Sequence, residues 1–137
     1  MAVKAARTLL NLPYYSASMQ VSVDGTMVKY HSRRHRASAS AEFQAQYMPT
    51  GPVFAAREGS LEHFLTERYC LYQLDHHGAP YRLEIHHPRW PLQPAEADLV
   101  RNSMATANAI TLPAQATLLH YAKRLDMVAW LPDRLTR

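Results

Sequence analysis

YSASMQVSVDGTMVKYHSRR, residues 15–34, decides the fold class. Tyr15, Ala17, Met19, Val21 and Val23 alternate with Ser16, Ser18, Gln20 and Ser22, the period of two that belongs to a half-buried strand. Asp24 and Gly25 follow, and because both residue types tolerate positive φ they predict a type I′ turn with TMVKYHSRR (26–34) returning as the partner strand. In that partner Val28, Tyr30 and Ser32 fall on one face, while Lys29, His31 and Arg33 fall on the other, so the basic residues share a surface.

The pattern extends outward from this hairpin. After an Ala/Ser loop (37–41), EFQAQYMP (42–49) sets Phe43, Ala45 and Tyr47 against Glu42, Gln44 and Gln46, a third strand ended by Pro49, Gly51 and Pro52. In GSLEHFLTERYCLY (59–72) Ser60 is placed to cap a short helix over 61–66, with Glu62 against its partly positive N-terminus, and the chain then enters a strand from Tyr69 to Leu74. HHGAP (76–80) reads as a turn and YRLEIHH (81–87) as the returning strand of a second hairpin. Pro88, Pro91 and Pro94 keep PRWPLQP extended and away from the middle of a sheet, and 95–100 resumes as a strand. Asn102 or Ser103 suits the cap of a brief helix through Ala109. TLLHYAKRLDMVAWLP (117–132) is read as a strand, although Leu118, Leu119, Tyr121 and Leu125 also fit a helix. At the N-terminus AVKAARTLLN (2–11) reads as a helix stopped by Pro13. The sum is a mainly β fold with short flanking helices, most economically a barrel or strongly curved sheet.

A chain of 137 residues suits one domain, and 47% hydrophobic against 19% charged residues is a globular balance rather than a disordered one. Its apolar runs stop well short of the roughly 20 residues that span a bilayer, and no secretory cleavage pattern follows the N-terminal segment, so a cytoplasmic protein without a membrane partner is expected. The single cysteine, Cys70, excludes an internal disulfide, suits a reducing compartment and reads as a small core residue. The net charge of +4 is unevenly spread, with six Lys and Arg against Asp24 alone in residues 1–36. KYHSRRHR (29–36) is the best case for nucleic acid, but no stacking motif or recognised fold accompanies it, and a solvated strand end is the expectation.

PTGPVFAAREGSLEHFLTERYCLY (49–72), EIHHPRWPLQPAEA (84–97) and LLHYAKRLDMVAW (118–130) together closely resemble the bacterial DUF2071, or YqjF-like, family. The resemblance spans nearly the whole chain and implies a β-barrel fold similar to that of acetoacetate decarboxylase. AVKAARTLLNLPYYSASM (2–19) looks like the helix and strand near the middle of a full-length member, so strands that precede it in the family are expected to be missing and a sheet edge to be left open. An open edge presents unpaired backbone groups that must be covered, blunted or paired, so a homodimer through it or an aggregation-prone fragment is expected. In acetoacetate decarboxylase a lysine forms an imine with the substrate, whereas the similar segment here offers Glu67 and Arg68. A carboxylate cannot form an imine and a guanidinium stays protonated, so Schiff-base chemistry is not expected.

The candidate site residues are Glu62, Glu67, Arg68, Glu84 and His86. Arg68 is expected to face the inside of the curved sheet, where a desolvated guanidinium needs a carboxylate, with Glu84 across the hairpin as its mate or a small organic acid as its ligand. Glu84 and His86 lie two apart on one strand, hence on one face, an arrangement suited to proton transfer. His76-His77 and His86-His87 are adjacent pairs whose side chains diverge, and no metal or other cofactor is expected from them. Trp90, between two prolines, is placed to pack on a neighbouring strand or to rim an apolar pocket. Three readings remain: a barrel that binds a small organic anion, a non-catalytic module in which the same charges serve structure and assembly, or a truncated member that lost its function with its N-terminal strands.

Overall fold

The computed structural model describes residues 14–35, 40–75, 77–113 and 118–135. The helix expected over 2–11, most of the Ala/Ser loop and His76 lie outside the described residues. The described chain is mainly β, with antiparallel strands in two sheets that belong to two compact units. Among the described residues neither sheet closes on itself.

The larger unit by strand count comprises Tyr15–Val53 and Gln93–Tyr121. It holds β1 (Ala17–Asp24), β2 (Met27–Arg34), β3 (Glu42–Pro49), β6 (Gln93–Asn102) and β7 (His120–Tyr121), paired in the order β1-β2-β3-β6-β7. The opening hairpin forms with Asp24 opposite Met27, so its two corner residues are Gly25 and Thr26 rather than Asp24 and Gly25. Only Gly25 has positive φ there (58°), the pattern of a type II′ turn, in which glycine takes the first corner, and not of type I′, which needs positive φ at both. β3 spans the residues its alternation marks.

Between β3 and β6 the register slips: Ala45 faces Leu99 but Gln44 faces Arg101, leaving Val100 as a one-residue bulge. The bulge resets the alternation of β6, so that Leu99 shares a face with buried Ala45 while Arg101 emerges on the face of Gln44.

This unit has an apolar face (Val28, Tyr30, Phe43, Ala45, Tyr47) and a polar one (Lys29, His31, Gln44, Gln46). Val28, Ala41 and Ala45 are buried. β1 is expected to be half-buried, but among the described residues it is the last strand on its side, and Met19, Val21 and Val23 are 65%, 61% and 67% exposed. The brief helix expected after Asn102 is a single 3-10 turn, Thr106–Asn108, ended by Ala109 in the left-handed region (φ 57°).

The second unit takes Tyr14, Phe54–Leu92 and the described residues from Ala122 on. It contains α1 (Leu61–Thr66) and the strands β4 (Cys70–Leu74), β5 (Pro80–His86), β8 (Val128–Ala129) and β9 (Asp133–Arg134). β4 pairs with β5, and both short strands pair with β5. The strand expected across 117–132 is therefore two short pieces, β7 and β8, separated by irregular chain. Phe54 bridges Leu92, and Leu92 and Ala56 are buried. Cys70 is not a core residue: it is exposed on β4, opposite Glu84.

Candidate functional site

In the second unit Ser60 caps α1 by accepting from the backbone N–H of His63 (3.2 Å), and the Thr66 hydroxyl donates back to the carbonyl of Glu62 (2.8 Å). Glu62 lies in the first turn and Glu67 closes the helix, its N–H bonded to the carbonyl of His63. The next residue overturns an expectation. Arg68 is exposed rather than turned inward, with its guanidinium carbon 3.6 Å from the centre of the Phe64 ring. Glu84 is not its mate, for it pairs with Arg82 (2.9 Å) on its own strand, and among the described residues no carboxylate pairs with Arg68. The ring of Phe64, four residues before Arg68, takes the cation in place of an acid.

Behind Arg68 lies an aromatic stack. The Tyr69 hydroxyl donates to Glu67 Oε2, and this bond pushes the phenol above its ordinary range. The Tyr69 ring stacks on His87 (centroids 4.7 Å apart, 21° between planes), and Trp90 meets His87 edge-on at 6.2 Å. His87 is buried, with Nδ1 2.8 Å from the carbonyl of Pro88 and Nε2 3.2 Å from that of Arg68. Carbonyls only accept, so the ring donates to at least one of them. Trp90 packs here, and its buried indole N–H has no partner among the described residues. Glu84 and His86 share one face of β5 as expected, but that face is exposed. Among the described residues no three His, Cys, Asp or Glu side chains gather as a metal ion requires.

The first unit offers a different site, on its polar face. A cleft of about 260 Å³ runs across β1, β2 and β3, lined by Gln20, Ser22, Lys29, His31, Gln44 and Gln46. Pairing puts Gln20, His31 and Gln44 in one row and Ser22, Lys29 and Gln46 in the next on the same face. Lys29 makes no ion pair among the described residues, so its ammonium stands among carboxamides and a hydroxyl. His31 and Arg101 converge on Glu42, at 2.8 and 3.0 Å, and their bonds hold its carboxyl below the ordinary 4.5. Glu42 is thereby neutralised at the margin of the cleft. One strand further on, Glu96 and Asp98 line a second cleft of about 310 Å³ with Gln46, so the face changes sign from β2 to β6.

None of Glu62, Glu67, Arg68, Glu84 and His86 lines either cleft. The signal for the cleft residues was the alternation itself: Lys29 with His31, and Gln44 with Gln46, are marked as one surface of their strands, but only the pairing register shows that these surfaces adjoin. The basic cluster of β2 is partly spent within the fold, since Arg34 lies 4.1 Å from the Tyr15 ring and His35 Nε2 lies 2.7 Å from the Ser18 hydroxyl. No helix among the described residues is long and apolar enough to cross a membrane, which bears on helical spans and not on strands.

Comparison with known proteins agrees with the resemblance in the sequence. The uncharacterized protein YqjF of Bacillus subtilis (strain 168) is 42% identical over 130 residues, which cover 95% of this chain and 53% of the relative. The chain thus spans about half the length of the curated relative it matches. No solved structure matches the chain. The family model described as an uncharacterized conserved protein, DUF2071, matches residues 1–126, and the chain belongs to that family.

Proposed function

We propose that the chain binds a small organic anion on the polar face of its five-stranded sheet, within an acetoacetate decarboxylase-like β architecture and without imine chemistry. The observation that carries this reading is the unpaired ammonium of Lys29 in a cleft whose other polar groups are mostly carboxamides. Carboxamides and a hydroxyl can donate to a carboxylate or keto oxygen and also accept from hydroxyls, and the ammonium supplies the counter-charge. At about 260 Å³ the cleft lies just under the roughly 300–1,000 Å³ typical of drug-sized ligands, so its ligand has few heavy atoms. Glu96 and Asp98 repel a second negative group, which directs the carboxylate toward Lys29.

A second reading places the anion at Arg68, and the open guanidinium on Phe64 favours it. Glu84 and His86 would then be the candidates for proton transfer, with Glu62 on α1 and Glu67 just after it. One thermal-shift screen against small carboxylic and 2-keto acids separates the two. A ligand at 100 times its Kd stabilises the native state by about 2.7 kcal/mol, roughly 5–10 °C in Tm for a chain of this size. Loss of the shift in Lys29→Ala with retention in Arg68→Ala supports the cleft, and the reverse supports Arg68. A screen in which no acid raises the Tm of the parent chain rejects both.

A further inference from the structure

We propose that β1 is a dimerisation strand, pairing antiparallel with β1 of a second copy of this chain about a two-fold axis at Val21. Among the described residues the first unit's sheet ends at β1, and hydrogen-bonding parity fixes which of its backbone groups are free. In an antiparallel pair, opposite residues alternate between bonded and non-bonded. Asp24 and Met27 close the two-residue turn as a bonded pair, and the N–H of His35 donates to the carbonyl of Ser16 (2.8 Å), so the even-numbered residues of β1 bond to β2. The N–H and C=O groups of Met19, Val21 and Val23 therefore point away from β2, where no strand meets them among the described residues. These same residues carry the exposed apolar side chains of the strand.

Natural edge strands are usually blunted by a lysine, a proline or a bulge. β1 (ASMQVSVD) has none of these over its 8 residues. With Val21 on the two-fold, Val21 pairs with its own copy and Met19 with Val23, so the free groups become bonded pairs and the apolar stripe runs on from one sheet into the other. The same register brings Asp24 opposite Ser18 of the second copy. Ser18 is small, and beside it on the same face lies Arg33 of β2, with His35 on the Ser18 hydroxyl. Neither Asp24 nor Arg33 makes an ion pair among the described residues. Each copy thus offers an unpaired acid at one end of the edge and an unpaired arginine at the other, which an antiparallel partner matches twice. The occupant argued for is a second copy because this complementarity is the strand's own.

Sedimentation and light scattering on the purified chain, from about 1 to 100 μM, test the inference. The expected species has twice the 15.6 kDa of one chain. Val21→Pro removes one outward N–H without touching a bond to β2 and is expected to give monomer, as is Met19→Lys. Because either variant can disturb folding, the deciding measurement is a charge exchange: Asp24→Arg and Arg33→Asp each raise the dimer dissociation constant at least about tenfold, through like charges brought opposite, and the double variant restores it. A parent chain that stays monomeric throughout the range, whether its edge is left open or covered by another segment or partner, overturns the proposal. So does a dimer indifferent to all four changes, or an exchange that restores nothing, as unspecific aggregation would give.

Discussion

Glu42 shows how much of a side chain's role depends on register. Its place on the polar side of β3 is legible from alternation alone, but its partners lie 11 and 59 residues away, and Arg101 reaches it only after the Val100 bulge has turned that side chain outward. A carboxyl held below its ordinary 4.5 contributes stability above that pH and loses it as the pH falls through the depressed value. Glu42→Gln is therefore expected to flatten the acid limb of a Tm-against-pH curve below about pH 4.5; a limb unchanged from the parent would show that the His31 and Arg101 bonds do not hold in solution. Tyr69 has the opposite sign. Its phenol is raised by the bond to Glu67, so the contribution is complete below the ordinary value of 10.0 and is lost as the pH rises through the raised one. Glu67→Gln should bring part of the phenolate absorbance at alkaline pH to a lower pH, and an identical titration would refute the bond. The expectation that Arg68 points inward extends strand alternation back to it, whereas β4 begins only at Cys70 and an aromatic face four residues back offers the cation a place on the surface.

At the scale of the element, the segments with strong local signals are the ones the sequence describes well. α1 begins and ends where Ser60 and its apolar run indicate, and Ser60→Ala is expected to cost about 1 kcal/mol in chemical denaturation. The first hairpin was right in its strands and one residue off in its corner. Asp-Gly is equally at home with aspartate as the last strand residue, and pairing of Asp24 with Met27 takes that option. Gly25 then carries the whole positive-φ burden, with open space around the position of an added Cβ. Gly25→Ala should accordingly cost about 1–2 kcal/mol, purely from the left-handed backbone, while Thr26→Ala costs little. Equal effects would contradict the II′ pattern. The C-terminal third resisted reading because β7, β8 and β9 are two residues each, too short for a period, and exist through pairing with distant strands.

At the largest scale, the described residues bury few large apolar side chains. A chain of this length can bury roughly two-thirds of its unfolded surface, yet the buried apolar residues described are Val28, Ala41, Ala45, Ala56 and Leu92, three of them alanines. Tyr72, Trp130 and Leu131 stand open, as do the three apolar residues of β1. Composition predicted a core and could not show which faces would be left for other contacts, since that depends on which strand is last in each sheet. If association covers β1, Tm rises with protein concentration in the parent chain and not in Val21→Pro; a concentration-independent Tm would detach stability from association. The Val100 bulge carries a consequence of another kind, for the lengths this gene can tolerate. Loss of the codon for Val100 leaves every neighbour in β6 opposite its present partner and merely straightens the strand. Loss of Leu99 is absorbed as well, since Val100 then faces Ala45 in its place. Loss of any codon from Ala95 to Asp98 turns some residues inside out, so single-codon deletions across this strand should survive at these two positions and fail at those before them.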